Sequence, residues 1–559
     1  MERIWQAHYP EGVPADITGQ AAAYDSLMAL FEDSCTRYAD NTAYISMGVS
    51  MTYAQTHEKA RAFAAWLQAQ GVNQGDRVAL MMPNLLQYPI CLFGTLMAGA
   101  AVVNTNPLYT AHELHHQLTD SGATTVVVAE NFAHTLQAAM AMGGTQVQRV
   151  LVTSMGEQLG FAKGLITDLV VRHVKKLVPA WQIPQARRLH EALAEGARLP
   201  YQRPTLSHTD LAALQYTGGT TGVAKGAMLS HGNLVANLCQ AHAWVQPYCQ
   251  GDRECIVTAL PLYHIFALTA NCLTFMRLGA SNLLIVNPRD IPAFIKELRK
   301  TRFTALTGVN TLFNALLNHP DFAKLDFSAL NLTLGGGMAV QEAIAQRWLT
   351  LTGKPIAQAY GLTETSPAVT INPLDKVDFN GSIGLPVSST DVAVRTDNRT
   401  MAIGESGEIC VKGPQVTAGY WNRPEETAQL FDADGWLMTG DIGYMNDKGY
   451  VFLLDRKKDM ILVSGFNVYP NEVEAAAIEH PGILEAAAVG VPNGAAGEVV
   501  KLYVIRKDPN LTEAQVIAHC RTLLTGYKTP KYVEFREDLP RSNVGKILRK
   551  ELRNENPAP

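Results

Sequence analysis

Apolar and polar positions first sort into a long run without charged residues, Val78 to His112, which opens "VALMMPNLLQYPICLFGTLMAGAAVVNTNP". A membrane-spanning helix needs about 20 mostly apolar residues. Pro83, Asn84, Gln87, Pro89, Gly94, Gly99 and Asn104 interrupt this run too often for that. It predicts instead a buried strand, a proline-containing turn, an apolar helix, a Gly-Ala step and a β-branched strand closed by Asn-Pro. The same order recurs from Val257 to Pro288, "VTALPLYHIFALTANCLTFMRLGASNLLIVNP". Two related α/β halves, each a parallel-sheet crossover, account for the recurrence, although two unrelated buried crossovers would also read alike.

Further along, "GSIGLPV" and "GEICVKGPQVTAGYW" predict short strands and turns, a small β-rich region. Near "DRKKDMILVSGFNVYPNEVE" the pattern starts afresh. Pro470 opens a helix through His480, Pro481-Gly482 ends it, strands follow at Ala486 to Val491 and Val499 to Ile505, and a second helix runs from Thr512 to Leu524. The roughly 100 residues after Lys458 suffice for one small α+β domain. The expected fold is therefore α/β: a large N-terminal domain over residues 1–457, of two related α/β halves plus the β-rich region, then a small α+β domain over residues 458–559.

One more stretch, "GFAKGLITDLVVRHVKKLVPAW", places Ile166, Val170, Val174, Leu177 and Trp181 on a single helical stripe, with Lys163, Arg172, Lys175 and Lys176 largely elsewhere. A basic amphipathic helix can lie on anionic lipid. The same stripe can pack on a core, and the pattern alone leaves both readings open.

Composition narrows the classes. With 559 residues, 47% of them apolar, the chain can bury a large core. A net charge of -5 gives no basic field, so nucleic acid is not expected as a partner. The eight cysteines are scattered without a CxxC, which fits a reducing cytoplasm, and the N-terminal "MERIWQAHYPEGVP" lacks the apolar core of a signal peptide.

Candidate chemistry centres on "YTGGTTGVAKG", Tyr216 to Gly226. Glycines let a backbone approach a phosphate, threonine hydroxyls donate to its oxygens and Lys225 adds charge. The spacing departs from GxxxxGK[ST], so a P-loop is disfavoured, and a structural turn would also use these residues. "HELHH", His112 to His116, fits H-E-x-x-H, but Thr110 and Glu113 form a capping box and no third zinc ligand is evident. No G-x-S-x-G occurs.

Taken together, "YTGGTTGVAKGAMLSH", "PLYHIF", "LGGGM", "QAYGLTETSP", "GWLMTGDIG", "DRKKDMILVSGFNVYPNEVE" and "PRSNVGKILRKEL", in this order, resemble the adenylate-forming (ANL) enzymes. That superfamily joins acyl-CoA synthetases, luciferases and peptide-synthetase adenylation domains. The long-chain fatty acid CoA ligase branch is most similar, with "LMMPNLLQYP" and "NPRDIPAFIKEL" extending the match.

The resemblance implies ATP and CoA as substrates, Mg2+ as cofactor and a fatty acid as the group activated. It assigns Thr217, Gly218, Gly219, Thr220, Thr221, Gly222 and Lys225 to the triphosphate, Thr363 to the α-phosphate, and Glu364 with Thr221 to the metal. Asp441 would accept the ribose hydroxyls with Arg456 in support, while Gly336, Gly337, Tyr360 and Gly361 would hold adenine. Lys546 matches the adenylation lysine and His264 lines the carboxylate and pantetheine passage. Lys458 falls at the hinge about which the small domain turns, bringing Gly465 to the CoA channel.

Chemistry agrees with these roles. A carboxylate nucleophile needs no base, only cations to offset the negative charge gathering at one phosphorus. Neither Ile256 to Pro288 nor Arg302 to Pro320, the segments lining the family's acyl pocket, holds an acidic residue, so an ammonium-bearing substrate is disfavoured. Some long-chain members carry a tryptophan gate four residues after the histidine, where this chain has Leu268. An aryl or medium-chain acid, or a non-catalytic nucleotide- or lipid-binding relative, are the alternatives. A cytoplasmic protein is expected, with contact at the inner membrane surface and a homodimer left open.

Overall fold

A computed structural model describes residues 2–217, 223–493, 497–542 and 545–555. Both crossovers form as the pattern predicts. Strand Arg77–Met81, helix Gln87–Met97 and strand Ala101–Thr105 make the first, with Val78 opposite Val102 in a parallel pair. Every residue of its helix is buried, so its lack of charge reflects a helix covered on all sides. Strand Cys255–Thr258, a helical stretch over residues 265–277 and strand Ser281–Leu284 make the second, with Val257 opposite Leu283. The middle of that stretch, Leu268–Leu273, is π-helical.

Each crossover sits in its own sheet, the first in one of seven strands and the second in one of nine. The proline turns fasten the two together. Asn84 donates to the Thr258 and Leu260 carbonyls and accepts from the Leu262 amide, and Tyr88 donates to the Leu262 carbonyl. Asn84 finds these partners across the seam, while the Tyr88 hydroxyl also meets Asn104 of its own half, and together they fix the loop carrying His264.

The β-rich region is an antiparallel sheet of five strands that includes Asp391–Thr396, Gly407–Lys412, Leu437–Met445 and Val451–Arg456. After it, Ile461–Val463, Phe466–Val468, Ile483–Asn493, Gly497–Arg506 and Tyr532–Arg536 build a separate sheet around a core that includes Val473, Ala488, Leu502 and Val516. The helix expected to reach His480 ends at Ile478, and Thr512 is the cap of helix Glu513–Leu523, boxed with Gln515.

Two expectations meet the structure differently. Thr110 and Glu113 do form a capping box, His115 and His116 bond the Gly143 and Ala224 carbonyls, and among the described residues no group of three metal-ligating side chains occurs. The amphipathic stripe, in contrast, ends early. An α-helix Phe161–Leu169 passes into a π-turn Val170–Val174, and Trp181 lies beyond it, half-buried beneath the Arg188 guanidinium. Among the described residues no helix is long and apolar enough to cross a membrane.

Candidate active site

A cleft of about 1610 Å³ opens where the parallel strands of the nine-stranded sheet end, between the antiparallel sheet and the C-terminal sheet. Ligands of open α/β sheets collect at such carboxyl ends. Gly336 and Gly361, the last residues of strands Leu332–Gly336 and Ala357–Gly361, line it, as do Gly337, Tyr360, Thr363, Glu364, Asp441, Arg456, Lys458, His264 and Lys546.

The strands on either side of the Gly/Thr stretch pair with each other. Strand Leu211–Thr217 returns as Lys225–Ser230, with Thr217 opposite Lys225 and Tyr216 opposite Gly226. Gly218, Gly219, Thr220, Thr221 and Gly222 lie outside the described residues. Thr217 and Lys225, at the two ends, both line the cleft. The Lys225 ammonium stands 4.0 Å from a Glu426 oxygen and 5.3 Å from the centre of the Tyr420 ring.

Tyr420 connects that lysine to Glu364. Its hydroxyl donates to Glu364 Oε1 at 2.6 Å, and the Thr417 amide donates to the Glu364 carbonyl at 2.8 Å. The buried carboxylate is thereby oriented through one oxygen. Burial, then the neighbouring Glu364, raises the Tyr420 phenol far above its usual range, so it stays a proton donor.

Asp441 forms a second carboxylate station. Its Oδ2 accepts from the Tyr360 hydroxyl at 2.6 Å, and its Oδ1 lies 3.6 Å from Arg456 Nε. The strands make this contact: Asp441 is paired opposite Arg456 across the antiparallel sheet. Burial raises the Asp441 pKa, with Arg456, Tyr360 and Lys546 acting the other way.

Lys546 enters from the C-terminal region. Gly337, whose φ of +78° favours glycine, lies beside it, an added Cβ there coming to contact distance, 3.5 Å, from Lys546 Cε. The Gly545 carbonyl accepts from Thr311 at 3.2 Å, anchoring the loop to the nine-stranded half. Desolvation, then Arg456, lowers the Lys546 pKa to about 8, while Asp441 and Glu364 pull it up. His264 is pushed down to about 3, first by burial and then by the Lys546 charge. Its Nδ1 accepts from the Phe266 amide, so in the neutral ring Nε2 carries the proton, and the residue lines the cleft.

An apolar arm extends from the same cleft along Ala241, Val245, Ile256, Phe275, Leu332 and Ile371. Within 256–288 and 302–320 no lining residue is acidic, as the sequence led us to expect. The wall given by helix His231–Val245 went unforeseen, because a helix buried on nearly all sides shows no amphipathic period to read. Tyr420 was missed too; its only signal was a place in the loop after "GPQVTAG".

Not every expected residue converges. Gly465, with Ser464, forms the tip of the hairpin between Ile461–Val463 and Phe466–Val468, is exposed, and does not line the cleft. Lys458 does line it, and its carbonyl accepts from Arg553 at 3.0 Å. A junction the motifs did not single out joins the two parts. Arg549 bonds Asp455 at 3.0 Å, Glu474 at 2.6 Å and Asn471, all nearly buried.

Known proteins are similar to this chain along its length. A family model described as AMP-binding enzyme matches residues 31–421, and one described as AMP-binding enzyme C-terminal domain matches residues 472–546. A long-chain-fatty-acid–CoA ligase of Salmonella typhimurium is 57% identical, covering 99% of this chain and 98% of the relative. One from Haemophilus influenzae is 51% identical over 99% of both. The crystal structure of an anthranilate CoA ligase in complex with anthranoyl-AMP superposes with a TM-score of 0.84, covering 96% of this chain and 98% of that one; at 24% identity it speaks for the fold alone. Matched over most of its length by the family model, and end to end by relatives more than half identical, the chain belongs to the AMP-binding enzymes.

Proposed function

We propose that this protein is a long-chain fatty acid CoA ligase working in the cytoplasm. It joins fatty acid and ATP as acyl-adenylate, releasing pyrophosphate, and then passes the acyl group to CoA, releasing AMP. The observation that carries this reading is the joining of an apolar, acid-free arm to a polar station where Lys546, Glu364 and Asp441 meet. The identity of 57% to a curated ligase over the full length supports the same substrate class.

In the first half-reaction a fatty carboxylate oxygen forms a bond to the α-phosphorus as the bond to the β-phosphate oxygen breaks. Negative charge from the carboxylate and the phosphates then converges at one atom. The Lys546 ammonium offsets it in a partly dry cleft, where a charge counts for more than in water. Neutral His264 donates a hydrogen bond toward the carboxylate without carrying a proton across, since its pKa lies far below working pH. Asp441, held by Tyr360 and Arg456, accepts from the ribose diol, and Thr217, Thr363 and Lys225 attend the phosphates.

Glu364 suits Mg2+: it is a hard oxygen ligand, buried, with Oε1 fixed by Tyr420. A lone carboxylate matches an ion held chiefly by substrate phosphates and water, and Thr221 would join it. When bound, the ion draws charge from the phosphate oxygens.

For the second half-reaction we assign residues 1–457 to an adenylation domain and 458–559 to a mobile domain. Turning at Lys458, the latter withdraws Lys546 and brings the Gly465 hairpin to the CoA path. The CoA thiol loses its proton to water, its sulfur bonds the acyl carbon, and the bond to the AMP oxygen breaks, AMP leaving as the phosphate anion. The test is incubation with Mg-ATP and a mixture of short, long and aromatic acids, with and without CoA, read by mass spectrometry. Long-chain acyl-CoA formed only with CoA is the expected product; preference for an aromatic acid, or no ATP-dependent product, overturns the reading.

A further inference from the structure

The helical segment Phe161–Leu169 with its π-turn Val170–Val174 is mounted inside out. Its polar and small residues face the protein. Gly164 packs so closely that an added Cβ would lie 2.4 Å from the Gly156 carbonyl oxygen. Asp168 accepts from the Ser154 hydroxyl at 2.6 Å and the Gly156 amide at 2.8 Å, and Arg172 pairs with buried Glu130. Most of its large apolar residues face water: Phe161 is 92% exposed, Ile166 62% and Val174 74%, and Leu165, Leu169 and Leu177 are half-exposed, while Val171 is buried with the inner face. A surface helix ordinarily turns its apolar stripe to the core, and a contiguous apolar patch left in water marks a binding surface.

Charge bordering the patch indicates the partner. The side chains of Lys175 and Lys176 are exposed and make no hydrogen bond or ion pair among the described residues, and exposed Lys163, near the patch's start, donates to the Met47 carbonyl. The segment's one acidic residue, Asp168, is turned inward, and nearby Glu130 is taken up by Arg172 and Arg188. An apolar stripe bordered by unpaired cations fits an anionic bilayer surface, where side chains enter the acyl boundary and ammonium groups meet headgroup phosphates. A symmetric contact between two copies would set these lysines near their own kind, which repel.

We propose that this face docks the protein on an anionic bilayer surface, the phase from which a long-chain acid arrives. The choice of a lipid surface rests on the fatty-acid reading above; the docking itself is tested without catalysis. Co-sedimentation would use phosphatidylcholine vesicles with and without phosphatidylglycerol, in the absence of ATP. The wild type should bind the anionic vesicles and release with salt. Ile166→Gln with Val174→Gln should weaken binding about tenfold or more, and Lys175→Glu with Lys176→Glu should abolish the preference for anionic lipid. Both variants should still make acyl-CoA from detergent-dispersed acid, as none of these residues lines the cleft.

Absent wild-type binding, or variants that bind as the wild type does, overturns the proposal. So does a dimer in analytical ultracentrifugation that the same substitutions dissolve, which would give the face to a second copy. Loss of the ligase reading would appear as missing acyl-CoA in the detergent assay with vesicle binding intact, so the two claims fail separately.

Discussion

Lys546 sits in a field that pulls both ways: burial and Arg456 disfavour its charge, Asp441 and Glu364 favour it. The net pKa of about 8, below the usual lysine value, leaves the ammonium mostly formed at pH 7 and lost as pH rises through 8. Because the free enzyme sets kcat/KM, that parameter for adenylation should fall between about pH 7 and 9. Lys546→Arg, which keeps its proton, should remove this limb even if the maximal rate drops; a limb left in place would assign it to another group. Tyr420→Phe should lower adenylation about tenfold, since it deletes a hydrogen bond to a charged, buried carboxylate, with little change in acid affinity. Lys546, Glu364 and Asp441 were legible as residues because their motifs are. Tyr420 was not, since nothing local marks a tyrosine whose partner is 56 positions away.

At the scale of elements, periodicity read the crossovers well because each is a complete unit with its strands paired side by side. It read the amphipathic segment less well. A stripe has a period but carries no label saying which side meets the protein, and here Gly164 and Asp168 make the contact, joined from the apolar residues by Val171. Their shape and hydrogen bonding outweigh hydrophobicity in deciding orientation. The Arg549 junction was likewise hidden, being made by a charge that would read as solvated in a basic tail. Arg549→Ala would leave Asp455 and Glu474 buried without their cation, at a cost of about 3–5 kcal/mol. A clear drop in Tm is expected, together with a fall in adenylation as Lys546 loses the anchorage three residues away; an unchanged Tm would mean water replaces the guanidinium.

For the whole molecule, the issue is how one cleft serves two reactions. The arrangement described has Lys546 inside the cleft and Gly465 outside it, the placement that adenylation needs. On the proposed domain assignment, thioester formation calls for the region after Lys458, which has its own core, to turn as a body. Lys458→Pro, by restricting φ, should leave acyl-adenylate formation intact and slow thioester formation about 100-fold or more, as seen in rapid-quench assays. The most direct test of alternation is to measure both half-reactions separately in Lys546→Ala. Acyl-adenylate formation from acid and Mg-ATP should fall by about 10²–10³, while transfer to CoA from supplied acyl-adenylate should stay within about threefold of the wild type. Equal losses in both would contradict a lysine that acts in the first step and leaves before the second.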